Sequence, residues 1–518
     1  GIKCQDYCYK NLKELTALPI HYEGATRTRR FSYDVHSEMY PAQPKCEKVA
    51  AGRGLRAKYY EKPFFLCEYA HAMGVGAGDL ERYVKAFYSS DIMMGGCIWE
   101  FADHAVYHEN GDYKYTYGGD HGEWKHDSNF CVDGLFNADR TPHTGAVQMK
   151  NCYRPIRARH KENDIFEFTS KSYFKTHKCT VKYSVLKNGV EAESGEFELE
   201  IEPTRTVAQK IDYSVNHHTV IVFNYFDGEK HIAREQIVLS EDYRTEPIAE
   251  SEAPKVSNSE RKLFISTDKF EMVYNTANCV LESYVYNGKQ LFNQSPLGTE
   301  KGFNPELYRA PLDNDMYLCR NWHKKGIDKL AFESKKKKEY YHIEDNTVVL
   351  NAEYKLVSPK CRRLGKLFVT YRIYGNGEIK VDYCYKNLKV RNVPRLGITL
   401  EMPKSFSNVE YFGYDMLTLS DFKEHSVYAV SELKVSDMHE VYVKPQESGM
   451  RYNTYWAELT DADGAGLRFE SEKSFVFDAN HFNVNQWAKA AHAEDLKEYE
   501  TTAVHIDGYM LGAGSNAC

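Results

Sequence analysis

From about Arg157 to the end of the chain, apolar residues return at every second position and turn dipeptides cut the runs. Thr180 to Val185 leads into Asn188-Gly189, Phe197, Leu199 and Ile201 alternate with Glu, and Val220 to Phe226 is a further run. Ile379, Val381, Tyr383 and Tyr385 alternate with Glu378, Lys380 and Asp382, while Asn287-Gly288 and Asn376-Gly377 mark turns. A period of two broken by Asn-Gly is the pattern of antiparallel hairpins with one face buried. This pattern restricts most of the chain to β-sandwich or barrel architecture.

The first 156 residues read differently. Cys8, Leu12 and Leu15 recur at i, i+4, i+7, and Leu80, Tyr83, Val84 and Phe87 keep helical spacing. Between such stretches lie three short apolar runs. Pro19 to Gly24 ends at glycine, Pro63 to Cys67 ends at Glu68, and Gly95 to Trp99 ends at Glu100. Strand, helix, strand with acids at the strand ends is how an α/β barrel presents its chemistry. There is room here for only about half of the eight βα units of such a barrel.

The predicted organisation is therefore multidomain, α/β followed by all-β. Residues 1–156 form a partial TIM barrel, 157–244 an immunoglobulin-like β-sandwich, 245–260 a linker containing Pro247 and Pro254, and 261–518 a large β-sandwich. The 518 residues suit this division, since a domain takes roughly 150. A chain with 42% hydrophobic and 27% charged residues folds around cores and is neither disordered nor collagenous. Its net charge of −7 supplies no basic field for nucleic acid, and no apolar run reaches the length of a membrane span. The 13 Cys, odd in number and irregularly spaced, read as free thiols of a reducing compartment. The basic run Lys335 to Lys338 reads as a solvated loop. The chain opens at Gly1 on helix-like sequence without an initiator Met, and is expected to be a piece of a longer protein.

Glu68 is the sharpest candidate residue. A carboxylate closing an apolar strand costs free energy unless it caps a helix or the site uses it, and His71 and the glycines at 74, 76 and 78 follow at once. Glu68-x-x-His71 also mimics half of a di-metal carboxylate motif, but that motif needs a continuous helix and a second copy. Glu100 and Asp103 beside Trp99 and Phe101 form an acid–aromatic cluster suited to a sugar ring. Asp120, His121, Glu123, His126 and Asp127 fit either a metal site or a polar loop over a cleft. Cys4 and Cys8 fit helix packing. Paired carboxylates across a cleft would give glycoside hydrolysis.

At this point the motifs become recognisable. Phe65-Leu66-Cys67-Glu68-Tyr69-Ala70-His71-Ala72-Met73-Gly74 resembles the nucleophile motif of the glycoside hydrolase family 2 β-galactosidases. The likeness continues through Gly95 to Asp103, Tyr117 to Asp120, Phe130 to Leu135 and Asp139 to His143. Later it includes Arg309 to Asp315, Pro445-Gln446-Glu447 with Gly449 and Arg451, and Gly512 to Asn516.

The resemblance implies the second half of a TIM barrel, an immunoglobulin-like domain and the large galactosidase-type β-sandwich. It implies a retaining, double-displacement β-galactosidase acting on terminal β-galactosides such as lactose, cytoplasmic and bacterial. In that frame Glu68 is the nucleophile and Tyr22 the tyrosine beside it. His71 binds sugar hydroxyls, and Phe101 stands where a Trp usually walls the galactose. The Phe130 carbonyl and Asp133 hold a monovalent cation, Na+ or K+.

The family's general acid/base, a Glu in an Asn-Glu motif, falls a few residues before Gly1 and is absent from this chain, as are its Mg2+ ligands. Gln446-Glu447 fits the sandwich pattern and does not replace it. Val75 replaces a usual Asn, and Ala503 stands where an aglycone-stacking Trp often sits. The expected partners are a galactoside, the missing first half of the enzyme and further copies in a homo-oligomer. The expected behaviour alone is inactivity. The alternative function is a non-catalytic carbohydrate-binding or assembly module.

Overall fold

The computed structural model describes residues 2–24, 31–291 and 303–516. Helix α1 (Ile2–Leu15) leads to β1 (His36–Met39), α2 (Gln43–Ala50), β2 (Phe64–Tyr69), α3 (Leu80–Tyr88), β3 (Met93–Ile98) and α4 (Thr144–Cys152). β1, β2 and β3 pair in that order, all parallel, as helical crossovers require. Phe64 and Leu66 of β2 and Leu80, Tyr83 and Val84 of α3 pack with Cys46, Val49 and Cys152 into one core between sheet and helices. That core uses the period-two face of the strand and the i, i+3, i+4 face of the helix.

Two expectations fail in this region. Pro19 to Gly24 forms no strand; Ile20 instead exchanges hydrogen bonds with Asp34, its N–H to Oδ2 at 2.7 Å and its carbonyl to the Asp34 N–H at 2.8 Å. Helix α1 does form, but Cys4, Cys8, Leu12 and Leu15 are exposed on it, so the face read as packing covers nothing here.

The strands of the second region form a three-stranded and a four-stranded antiparallel sheet. Both contribute to one core that includes Phe166, Phe168, Val181, Leu199, Ile221 and Phe223. The Asn188-Gly189 turn forms with φ of 47° and 81°, the left-handed pair that a tight hairpin requires. The first strand of this region, Ile156–His160, begins one residue before the expected boundary.

The last region is built on a seven-stranded sheet running from Asn304–Glu306 at one edge to Tyr428–Lys434 at the other. It shares a large core with two five-stranded sheets. One correction applies here. Residues 255–259, read as linker, form the edge strand Lys255–Ser259, paired from Lys255 opposite Ser266 to Ser259 opposite Lys262. Only Val256 among its five residues is apolar, so the strand carries no alternation that would mark it in the sequence.

Candidate active site

The carboxyl ends of the three parallel strands converge on one group of side chains. Tyr40 follows β1 immediately, Glu68 is the penultimate residue of β2, and Glu100 follows β3 by two. The β2–β3 register slips between Leu66 and Tyr69, an irregularity that re-aims side chains at the end of the strand. The Tyr40 N–H donates to the Glu68 carbonyl at 2.7 Å. Burial raises the pKa of the Tyr40 phenol, and the Glu68 carboxylate, charged and hydrogen-bonded to it, raises it further. The hydroxyl therefore stays protonated and donates to Glu68.

Beyond Glu68 the chain turns through Ala70, at φ 57°, into His71, which is buried. The His71 ring lies 6.0 Å from the Tyr40 ring and 5.6 Å from the Phe130 ring, centroid to centroid. Its Nε2 is 3.8 Å from Asp133 Oδ2, and the same oxygen accepts from Trp99 Nε1 at 2.9 Å. Backbone bonds stitch the segments together: Trp99 N–H to Tyr69 O, Ala72 N–H to Trp99 O, and Glu100 N–H to Asp133 O. Gly134 permits this closeness, because a Cβ there would overlap the Ala102–Asp103 peptide. Glu100 sits against Asp133; burial raises its pKa, and the hydrogen bond and charge of Asp133 add to the effect. Phe101 is 66% exposed with its ring 5.1 Å from that of Phe136, an apolar wall open to solvent.

The structure thus brings together Glu68, His71, Asp133 and the side chains around Phe130, but not Tyr22. Tyr22 precedes β1 in the loop whose His21 ring rests on Phe65, is 46% exposed, and makes no hydrogen bond to Glu68 among the described residues. Tyr40 holds the place beside Glu68 because it ends β1, the strand whose Met39 pairs with Glu68. The signal for it was present: Met39-Tyr40 closes a short run just before Pro41, one strand ahead of the acid.

Asp133 is buried, and its Oδ1 has no hydrogen-bond partner among the described residues. An orphaned carboxylate oxygen beside a second carboxyl group is chemistry that a bound cation would complete, and the Asp133 side chain fits that role. The residues 120–127 resolve as a polar loop. Asp120 accepts from Tyr117 N and lies 3.2 Å from His492, and Glu123 accepts from the N–H groups of Gly119 and His121. No group of three or more metal-ligating side chains occurs among the described residues.

The large sandwich clamps the loop that follows Glu68. Ser515 O accepts from His71 N at 2.9 Å, Gly514 O from Gly78 N at 2.8 Å, and Gln446 Oε1 from Val75 N at 3.1 Å. Gly74, at φ 60°, lies so close to the Gln446 amide that a Cβ would overlap it. Val75, where the resemblance leads one to expect Asn, is wholly buried with Leu312, Leu419, Phe422 and Met450. Here the loop is held by apolar packing.

Parallel strands ending in carboxylates, with an aromatic wall beside them and antiparallel sheets behind, are an arrangement expected of glycoside hydrolases of the barrel class. Residues 6–158 match the family described as glycosyl hydrolases family 2, TIM barrel domain, and residues 266–518 match the β-galactosidase small chain. The chain belongs to glycoside hydrolase family 2, in its β-galactosidase branch.

A β-galactosidase of Actinobacillus pleuropneumoniae is 29% identical, covering 96% of this chain and 50% of its own length. One of Staphylococcus xylosus is 28% identical, covering 96% and 52%. The chain spans about half the length of the curated relatives it matches. Among solved structures, a Bacteroides uniformis β-glucuronidase aligns at 12% identity with a TM-score of 0.23, covering 83% of this chain and 46% of that one. No helix among the described residues is long and apolar enough to cross a membrane.

Proposed function

We propose that this chain supplies the nucleophile and much of the sugar-binding surface of a retaining β-galactosidase. The observation that carries the reading is the contact of Tyr40 with Glu68 at adjoining strand ends, with His71 and Asp133 on the same side. A Glu68 oxygen bonds to the anomeric carbon as the glycosidic C–O bond breaks. The leaving oxygen takes its proton from an acid expected on the half of the relatives that this chain does not span. Water then attacks the same carbon, its proton returns to that group, and Glu68 leaves as carboxylate. Tyr40, a fixed O–H donor, orients the attacking oxygen and holds it when it departs. Terminal β-galactosides such as lactose are the proposed substrates.

Asp133 and the Phe130 carbonyl would hold Na+ or K+, which would supply a positive charge for sugar hydroxyls to bind. Mg2+ ligands are expected outside this chain. Without the acid a sugar leaving group stays unprotonated, so the chain alone is proposed to be inactive on lactose.

The test is intact mass after incubation with a 2-fluoro-galactoside carrying dinitrophenolate, a leaving group that needs no acid. One adduct, mapping to Glu68 and absent from Glu68→Gln, is the expected result. An adduct elsewhere that persists in Glu68→Gln overturns the nucleophile assignment. Lactose turnover by the purified chain overturns its inactivity.

A further inference from the structure

We infer that Asn314, on the large sandwich, is a positioning residue for the sugar-binding histidine: it holds His71 with its proton on Nδ1 and leaves Nε2 as an acceptor facing the site. The inference rests on the proposed role of His71 as a sugar contact. Asn314 is 1% exposed and reaches His71 twice, across 243 positions of sequence. Its Nδ2 donates to the His71 backbone carbonyl at 3.0 Å, and its Oδ1 lies 3.1 Å from His71 Nδ1.

These two contacts decide the tautomer. A backbone carbonyl only accepts, so the NH2 end of the amide must face it. The oxygen end then faces Nδ1, and because that oxygen also only accepts, Nδ1 must carry the hydrogen. Flipping the amide would oppose two acceptors at the carbonyl.

Asn314 has little freedom to move. On one side Asp313 accepts from Asn129 at 2.9 Å and Gln446 at 2.7 Å. On the other, Asp315 pairs with the buried Arg309 at 2.6 Å. Gly76 leaves just enough room, since a Cβ there would stand 3.0 Å from Asn314 Nδ2.

With Nδ1 protonated, a neutral His71 turns an Nε2 lone pair toward the site. Asp133 Oδ2, 3.8 Å from Nε2, is beyond hydrogen-bond reach and is also an acceptor. Two neighbouring acceptors call for two O–H donors, which vicinal hydroxyls of one sugar ring supply. If the proton moved to Nε2, the imidazole would present a donor to the ligand in place of an acceptor, and one of the two sugar hydroxyls would lose its partner. The large sandwich therefore acts on sugar binding without touching the sugar.

The test is a long-range 1H–15N spectrum of the whole chain labelled at the histidine rings, with the His71 signals assigned by their loss in His71→Gln. The expected result is Nδ1–H in the wild type, retained in Asn314→Asp, whose carboxylate still accepts, and replaced by Nε2–H in Asn314→Leu. The indole N–H signal of Trp99, one of 5 tryptophans and bonded to Asp133, reports that the site is intact. Should Asn314→Leu lose that signal, the smaller Asn314→Ala is read in the same way.

Nε2–H in the wild type overturns the inference, as does Nδ1–H persisting in a folded variant that offers no acceptor. Titration with isopropyl β-D-thiogalactoside follows on the same spectra, with about tenfold weaker binding expected in the flipped variant, the effect of one hydrogen bond. Wild-type Nδ1–H with no response to the thiogalactoside overturns the sugar-binding reading and leaves the Asn314 assignment standing.

Discussion

Two groups of carboxylates gather at strands and strand ends of this molecule, and they are built in opposite ways. Glu68, Glu100 and Asp133 gather at the ends of β2 and β3. Among the described residues no Lys or Arg pairs with them, and the nearest ring nitrogens are those of His71 and His104. In and beside the seven-stranded sheet, Glu306 and Asp507 on its strands and Glu447 on a loop surround Arg395, which is fully buried and lies 3.2, 3.0 and 3.5 Å from them. His505 adds a second cation, 2.7 Å from Glu306. Burial opposes its charge, but Glu306 outweighs that and holds its pKa up at about 9. Both groups put acids in desolvated places. Where a fixed guanidinium answers them they are structure; where the counter-charge is left to a cation or a ligand, they are available for chemistry.

The largest effect that tests this contrast is Arg395→Met. It removes the cation shared by three buried carboxylates and, among the described residues, leaves only Glu306 a cationic partner, His505; removing one partner of such a network costs about 3–5 kcal/mol. Urea unfolding of the sandwich should show a midpoint lowered to match. A loss below about 1 kcal/mol, within the range of a surface change, would mean that the network is not held by its cation.

A smaller effect belongs to the joint between the two regions. His143, at the N-terminal end of α4, lies 3.2 Å from Asp103 of the barrel region and 3.3 Å from Glu440 of the sandwich. Burial opposes its charge, yet its bonds to Asp103 and Glu440 prevail and hold its pKa at about 9, above the ordinary 6.5. The proton is thus bound more tightly in the folded state. Its stabilisation is complete below pH 6.5, declines between 6.5 and about 9, and is gone above that. The shift corresponds to about 3 kcal/mol. His143→Gln should therefore be less stable than the wild type at pH 6, and the two unfolding midpoints should converge by about pH 9.5. A gap that stays constant with pH would assign the loss to packing.

The same contrast explains what could be read from the sequence. Glu68 was legible because an apolar strand that stops on an acid is a local pattern. Tyr40 was missed because nothing about a tyrosine before Pro41 is costly by itself; its meaning comes from β1 lying beside β2. Tyr22 was expected there from the resemblance of His21 to Gly24 to a family motif, whereas no strand forms there to carry it to Glu68. The motifs from Arg309 to Asp315 and around Glu447 stood out as clearly as Glu68, yet no spacing showed that one set clamps the His71 loop and the other neutralises a buried arginine. Those roles depend on contacts hundreds of residues apart, such as Ala310 N–H to Glu447 at 3.1 Å and Asn314 to His71. Period-two alternation located the sheets, but it is blind to which buried acid faces a cation.

The smallest expected change is the most discriminating. Glu68→Gln keeps the size of the side chain and an oxygen that still accepts from the Tyr40 hydroxyl, and it breaks no pairing with a Lys or Arg. It removes a negative charge from a place that already holds Glu100 and Asp133. Folding stability should therefore stay within about 0.5 kcal/mol of the wild type, in either direction, while the covalent adduct with the 2-fluoro-galactoside disappears. The isosteric change Glu306→Gln, made inside the Arg395 network, should cost about 1–3 kcal/mol, because it removes half of a charge-assisted bond that is already paid for by burial. Unfolding midpoints of the two variants, measured side by side, separate an acid held for reaction from an acid held for structure. Equal losses would show that Glu68 is as deeply built into the fold as Glu306, and that the open cluster is a second structural network.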